Sequence, residues 1–292
     1  MKTPLAAVLV LAALAGCGRN AVDKEAWVPV DILVQEDSAQ GRPAYPRPQL
    51  VRDRWASLGG SWNYTVTPVD APCPEDWDGP ADTTRAGMAA LMSPGRAIWY
   101  GTAFKVPASW RKQRLRLNLG TDDRSAEVYV NGRLAGSHTS SLDLTRFLTR
   151  ASWQQLAVRF APGGDDGSRQ AFPEGIWLEP LPKACVTSYQ AVADVEAGTV
   201  DVTVSTEGAT DRDHVEIWLR EGGTGFRTED PGETATVAFA SVAPGVPVRL
   251  SVSGPKCWSE EFPFRYELEI CLLRGRKVLD QVRGYTAFLP ER

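Results

Sequence analysis

Apolar and polar side chains alternate in two-residue steps along most of the chain, a pattern that predicts short β-strands. Leu115, Leu117 and Leu119 alternate with Arg114, Arg116 and Asn118, and Val128 and Val130 continue the pattern. Asn131-Gly132 comes next, followed by Arg133-Leu134-Ala135-Gly136. Asn-Gly between alternating segments predicts a hairpin, because a type I′ turn needs positive φ at both central residues. Leu156, Val158 and Phe160 share a face of a strand expected over Trp153–Phe160. The second half carries a separate set: Val200, Val202 and Val204; Val215, Ile217 and Leu219; Val248, Leu250 and Val252; and Tyr266 to Leu272. Short alternating strands with turn signals between them imply an all-β sandwich. Pro180-Leu181-Pro182 predicts a break between the halves, since paired prolines suit a linker and resist central strands. The expected architecture is two β-sandwiches in tandem with little helix.

The N-terminus has a different character. Met1-Lys2 gives a positive start, and Leu5 to Ala15 is an apolar run. That run is too short for a bilayer span, which takes about 20 residues, but it suits the core of a signal peptide. It ends in Leu14-Ala15-Gly16-Cys17, which resembles the bacterial lipobox, whose cysteine is acylated and becomes the mature N-terminus. The expectation is a signal peptide over 1–16 and a lipoprotein held in the bacterial cell envelope through Cys17. Gly18, standing where Asp would mark inner-membrane retention, favours the outer membrane. Residues 18 to about 50 hold Pro29, Pro43, Pro46 and Pro48, which preclude a long helix and read as a tether and extended lead-in.

Export changes how the other cysteines are read. Cys73, Cys185, Cys257 and Cys271 remain, an even number in an oxidising compartment, and a disulfide framework among them is expected with its pairing left open. No CxxC spacing suggests zinc or thioredoxin-like chemistry. Cys271 lies on the strand face of Glu267 and Glu269, so a disulfide there is preferred to a buried thiol.

Composition narrows the function. At 292 residues the chain suggests two domains of about 150 residues each and leaves no room for a barrel of about 250 residues beside them. Only His138 and His214 are present, which excludes a His-rich metal centre, and His138 reads as a surface or hydrogen-bonded strand histidine. Net charge is −4, and Lys and Arg are scattered along the sequence, so the footprint of a nucleic-acid binder is missing. The adjacent acids Asp122-Asp123, Asp165-Asp166 and Glu260-Glu261 do not supply two facing carboxyls, because neighbouring strand residues point to opposite faces. The loop Gly163 to Ser168 is a ligand candidate: Asp165 and Asp166 offer oxygens to a hard cation such as a structural calcium or to sugar hydroxyls, with a solvated turn as the alternative. Among ten tryptophans most are expected in the core. Trp77, in the loop Cys73 to Pro80, has no evident core role and is the first choice for an exposed sugar-stacking platform.

Several segments, taken in order, resemble the N-terminal part of glycoside hydrolase family 2. Tyr45-Pro46-Arg47-Pro48-Gln49-Leu50-Val51-Arg52, leading into Trp55 to Trp62, resembles the family's entry motif. Ile98-Trp99-Tyr100 and Phe104 to Trp110 resemble the following strand, with Gly101-Thr102 where Arg-Arg is common. Ala126 to Gly132 and Gly136-Ser137-His138 resemble its hairpin, and Gly175 to Pro180 the close of its jelly roll. Pro255-Lys256-Cys257-Trp258-Ser259-Glu260-Glu261-Phe262-Pro263, Lys277 to Asp280 and Gly284 to Phe288 resemble its immunoglobulin-like domain. The resemblance implies a galactose-binding-like jelly roll over 51–182 and an immunoglobulin-like β-sandwich over 183–292, with 17–50 as the lipidated tether and lead-in. In that family both catalytic glutamates sit on a barrel that follows, and no residue of this chain takes over either role. The resemblance therefore implies a non-catalytic, carbohydrate-binding or accessory envelope protein without a cofactor, whose partner is a saccharide or an envelope protein. Two alternatives stay open: a truncated or split glycoside hydrolase whose barrel is encoded separately, and a structural module that binds protein.

Overall fold

The computed structural model describes residues 46–59, 62–80, 95–119, 126–137, 140–160, 175–223 and 235–290. Its first ten strands are β1 (Ala56–Ser57), β2 (Asn63–Pro68), β3 (Gly79–Pro80), β4 (Arg96–Lys105), β5 (Arg114–Asn118), β6 (Ala126–Val130), β7 (Arg133–Ser137), β8 (Ser141–Asp143), β9 (Trp153–Phe160) and β10 (Trp177–Leu181). They form a six-stranded sheet, β3-β2-β4-β9-β6-β7, facing a four-stranded sheet, β1-β10-β5-β8. Alternation decides which side chains fill the space between them. Ile98, Tyr100 and Phe104 of β4, Leu156, Val158 and Phe160 of β9, and Leu115 and Leu117 of β5 all point into one core. Burying each such side chain contributes about 1.5–3 kcal/mol. The hairpin between β6 and β7 turns at Asn131 (φ 51°) and Gly132 (φ 74°), the two left-handed residues that the Asn-Gly pair predicts.

The remaining strands are β11 (Cys185–Asp194), β12 (Thr199–Glu207), β13 (Asp213–Gly223), β14 (Thr236–Val242), β15 (Val248–Ser251), β16 (Arg265–Arg274) and β17 (Lys277–Thr286). They pair as β11-β12-β15 and β14-β13-β16-β17, the two-sheet, seven-strand arrangement of an immunoglobulin-like sandwich. A second core of Val200, Val202, Val215, Ile217, Leu268 and Ile270, among others, lies between these sheets. Among the described residues the only helical turns are short 3-10 segments at Ala108–Trp110 and Thr145–Phe147.

Two details of the junction depart from the sequence reading. Pro180 belongs to β10, opposite Leu115, so the break between the halves is confined to Pro182 to Ala184, between β10 and β11. The proline is tolerated because β1 covers only Trp177 and Leu178, leaving Pro180 hydrogen-bonded ladders on one side alone. The lead-in also meets the second domain before it enters the first. Leu50 packs into the immunoglobulin-like core, and Val51 pairs with Arg283 through hydrogen bonds of 2.7 and 3.0 Å.

The outward face of the four-stranded sheet is the contact between the domains. Arg52 is 5% exposed there. Its Nη2 donates to Asp280 Oδ2 at 3.0 Å and to the Val186 carbonyl at 2.6 Å, and its Nη1 lies 3.5 Å from Glu179 Oε2. Trp177 Nε1 donates to Glu179 Oε1 at 2.6 Å, and Val186 N to Asp280 Oδ2 at 2.8 Å. Every charge in this cluster thus has an opposite charge and a further hydrogen bond, the condition for keeping ions out of water. Arg114, held at 2.5 Å by Glu207, adds a second cross-domain pair.

Candidate functional site

The outward face of the six-stranded sheet carries a group of aromatic side chains. Odd-numbered residues of β4 and β9 and even-numbered ones of neither point outward here, so Trp99 and Arg159 share this side with Tyr129 and Glu127 of β6 and Thr65 of β2. Residues 69–80 fold back across it. Pro72 and Pro74 keep their backbone from coiling, Ala71 N bonds the Pro68 carbonyl at 3.1 Å, and Asp78 N bonds the Tyr64 carbonyl at 2.9 Å. Asp78 Oδ2 accepts from Thr65 Oγ1 at 2.9 Å and from Val66 N at 3.3 Å, which fixes the strap to β2.

Trp77 is thereby laid over Gly101. A Cβ at position 101 would fall 2.2 Å from two carbons of its six-membered ring, so only glycine admits the indole at this distance. The glycine that departs from the family's Arg-Arg pattern therefore has a local reason. Trp77 is half-buried and packed against the sheet, which corrects the expectation of a freely exposed platform. Trp99 is fully buried; its Nε1 donates to Thr67 Oγ1 at 3.0 Å, and its ring lies 5.0 Å from that of Tyr129. The guanidinium of Arg159 sits 5.6 Å from the Trp99 ring centroid, bonds Glu127 Oε2 at 2.6 Å and donates to the Val69 carbonyl. Tyr129 donates its hydroxyl to Glu127 Oε2 at 3.2 Å.

Several titratable groups of this face are shifted or held by their neighbours. Burial, reinforced by the Glu127 carboxylate, raises the Tyr129 phenol above its ordinary value. Burial pushes the neighbouring Cys73 thiol up to about 11. Glu127 is held by Arg159 and Tyr129, and Asp78 by Thr65 and Val66 N, so neither carboxylate stands open opposite another. The face offers half-buried rings for stacking and polar atoms at their edges.

The other residues singled out from sequence do not converge on it. Cys17, Asp122, Asp123, His138, Asp165 and Asp166 lie outside the described residues, and with them the lipidation site and the candidate calcium loop. Glu260 and Glu261 are exposed on a turn, and His214 Nε2 lies 3.5 Å from Glu216 Oε1 on the outer face of β13. Among the described residues no group of three or more His, Cys, Asp or Glu side chains could hold a metal ion. Cys73, Cys185, Cys257 and Cys271 are free thiols in this structure. Cys271, for which a disulfide was the expectation, is a buried thiol opposite Glu216 and Gln281, with no cysteine on either neighbouring strand beside it. Most tryptophans are expected in the core, but Trp99 and Trp177 are buried outside the two sandwich cores, Trp99 on the outward face of the six-stranded sheet and Trp177 against Val51 at the domain junction. Sequence reasoning missed Arg52 and Glu179, since nothing local to either signals a partner across the domain junction.

Comparison with known proteins agrees with this architecture. Residues 185–288 match the model of the glycosyl hydrolases family 2. Among curated proteins no sequence relative matches the chain. Among solved structures, a β-glucuronidase from Ruminococcus gnavus in complex with a C6-substituted uronic isofagomine is 20% identical with a TM-score of 0.60, over 80% of this chain and 45% of that one. The same enzyme in complex with D-glucuronic acid gives 20% identity and a TM-score of 0.56, over 80% and 45% of the two chains. A glycosyl hydrolase family 2 member from Bacteroides cellulosilyticus is 17% identical with a TM-score of 0.61, over 80% of this chain and 36% of that one. At these identities the likeness is one of fold, and this chain spans less than half the length of each of these structures. In sequence over residues 185–288 and in fold over most of its length, the chain resembles the N-terminal part of glycoside hydrolase family 2, a jelly roll followed by an immunoglobulin-like domain.

Proposed function

We propose that this protein is a lipid-anchored accessory module derived from glycoside hydrolase family 2, which binds a saccharide through its jelly roll without hydrolysing it. The observation that carries the reading is the strap-covered sheet face, where Trp77 and Tyr129 are half-buried and the carboxylates of Asp78 and Glu127 are held by hydrogen bonds. The Leu14-Ala15-Gly16-Cys17 motif supports attachment to the bacterial envelope, with the acylated Cys17 as anchor. Sugar binding is carried by analogy of fold and by the rings, because fold alone does not assign function. A glycan array probed with the mature chain tests it: binding of a defined saccharide set, lost in Trp77→Ala, is expected, and a blank array overturns it.

A second reading has the chain working beside a separately encoded catalytic barrel. It draws on the coverage of 45% of the R. gnavus β-glucuronidase chain. Release of aryl alcohol from an aryl glucuronide by the mature chain mixed with such a barrel, and by neither alone, would establish it.

A further inference from the structure

Cations that are scattered in the sequence gather at one end of the jelly roll. β4 ends at Lys105, opposite Trp153 at the start of β9, and β6 ends beside Leu156. The β6–β7 hairpin, the turn at Thr145–Phe147 and the segment following Lys105 therefore meet at the same end. The stretches 105–113, 131–134 and 144–153 contain Lys105, Arg111, Lys112, Arg133, Arg146 and Arg150 and no Asp or Glu. All six of these cations are exposed, and none pairs with a carboxylate among the described residues. By contrast, Arg52, Arg114, Arg159, Arg220, Arg249 and Arg274 each lie within ion-pair distance of an acid. In a chain whose net charge is −4, this end is a concentrated positive pole.

The pole is built on a fixed base. The Asn131 side-chain amide donates to the Phe147 carbonyl at 3.0 Å and to Gln154 Oε1 at 2.8 Å, while its Oδ1 accepts from Gln155 N at 2.9 Å. Gln154 is 2% exposed and also holds Thr149 N at 2.8 Å and the Ala151 carbonyl at 2.7 Å. Hairpin, turn and strand are thus stapled together. The cations are held too: Arg133 and Arg146 lie over the Phe147 ring at 5.2 and 4.7 Å, and Lys105 over Trp153 at 4.2 Å. Arginine stacked on a ring loses less freedom when its fork of N–H donors meets a carboxylate.

We infer that this basic end is a docking surface for an acidic polysaccharide, one whose sugars carry carboxylates. The inference rests on the saccharide-binding reading above and names the charge class of the ligand. Repeated carboxylates along one chain complement several fixed cations at once, whereas a neutral glycan gains nothing from them.

The test is calorimetric titration of the mature chain carrying Cys17→Ser with polygalacturonate, dextran, phosphatidylglycerol vesicles and duplex DNA, at low and high salt. One variant combines Lys105→Gln, Arg133→Gln and Arg146→Gln. A control of equal charge combines Arg212→Gln, Arg276→Gln and Lys277→Gln, all exposed in the second domain. Polygalacturonate should bind the parent, weaken with salt, and lose about tenfold or more in affinity in the first variant and not in the control. Equal loss in both variants, or none in either, overturns the docking surface and leaves saccharide binding standing. Binding of vesicles or DNA in place of polygalacturonate also overturns it. Binding of no polysaccharide at all counts against the underlying saccharide reading as well.

Discussion

Arg52 and Asp280, 228 residues apart in the sequence, meet at 3.0 Å in a buried contact that joins the two domains. Removing the cation leaves Asp280 and Glu179 buried without their counter-charge, the costly way to break such a pair. Arg52→Met should therefore lower stability by about 3–5 kcal/mol and separate the unfolding of the two sandwiches. Urea denaturation followed by tryptophan fluorescence checks both; a single transition at the parent midpoint would contradict this account of the junction.

Gly101 and Trp77 give the second prediction. Gly101→Ala places a Cβ 2.2 Å from the indole, so the strap must lift or the strand must shift. A destabilisation of about 1–3 kcal/mol is expected, with greater quenching of tryptophan fluorescence by acrylamide. Trp77→Ala in the same chain should remove most of the penalty, a non-additivity that a double-mutant cycle measures.

How much of this was legible beforehand depends on the range of the interaction. The strands containing Leu115, Val158, Val202 and Ile217 follow from alternation, and the turn at Asn131-Gly132 from the left-handed dihedrals those residues accept. Trp77 was visible as a ring without a core position, but its resting place on Gly101 depends on the strap folding back across a sheet. The Arg52 cluster and the basic end were invisible for the same reason. Their members come from distant stretches of chain and become neighbours only once register and domain packing are set. Pro180 misled because proline's bar from strands applies to doubly paired positions, and here one side is open.

Acid stability offers a third prediction. Arg274 grips Asp213 with bonds of 2.7 and 2.9 Å, and Thr210 donates to it from N and Oγ1 at 2.8 and 3.0 Å. These donors, Arg274 first, hold the carboxyl well below its ordinary 3.8. A carboxylate with a depressed folded pKa contributes stability above its unfolded pKa and loses it as pH falls through the folded one. The urea midpoint should thus show no Asp213 contribution to its slope above 3.8 by much, then decline below it. Asp213→Asn should flatten part of that acid limb; an unchanged limb in the variant would refute the assignment.

The thiols give a fourth. Burial raises the pKa of Cys73 to about 11 and that of Cys271, with help from Glu269, to about 12. Thiolate is scarce at neutral pH in both, so the folded protein should react slowly with a thiol reagent. Unfolding in denaturant without reductant should then release Cys73, Cys185, Cys257 and Cys271 together. Fewer reactive groups would reveal a disulfide in the protein as isolated.

The central claim is that the chain holds a saccharide and leaves it intact. Titration of the mature protein with a panel of neutral and acidic polysaccharides in a calorimeter, followed by assay of the cell contents for new reducing ends, tests it most directly. Saturable heat with one class of polysaccharide and no new reducing ends is the predicted result. Reducing ends released by the protein alone, or no heat with any polysaccharide, would contradict it.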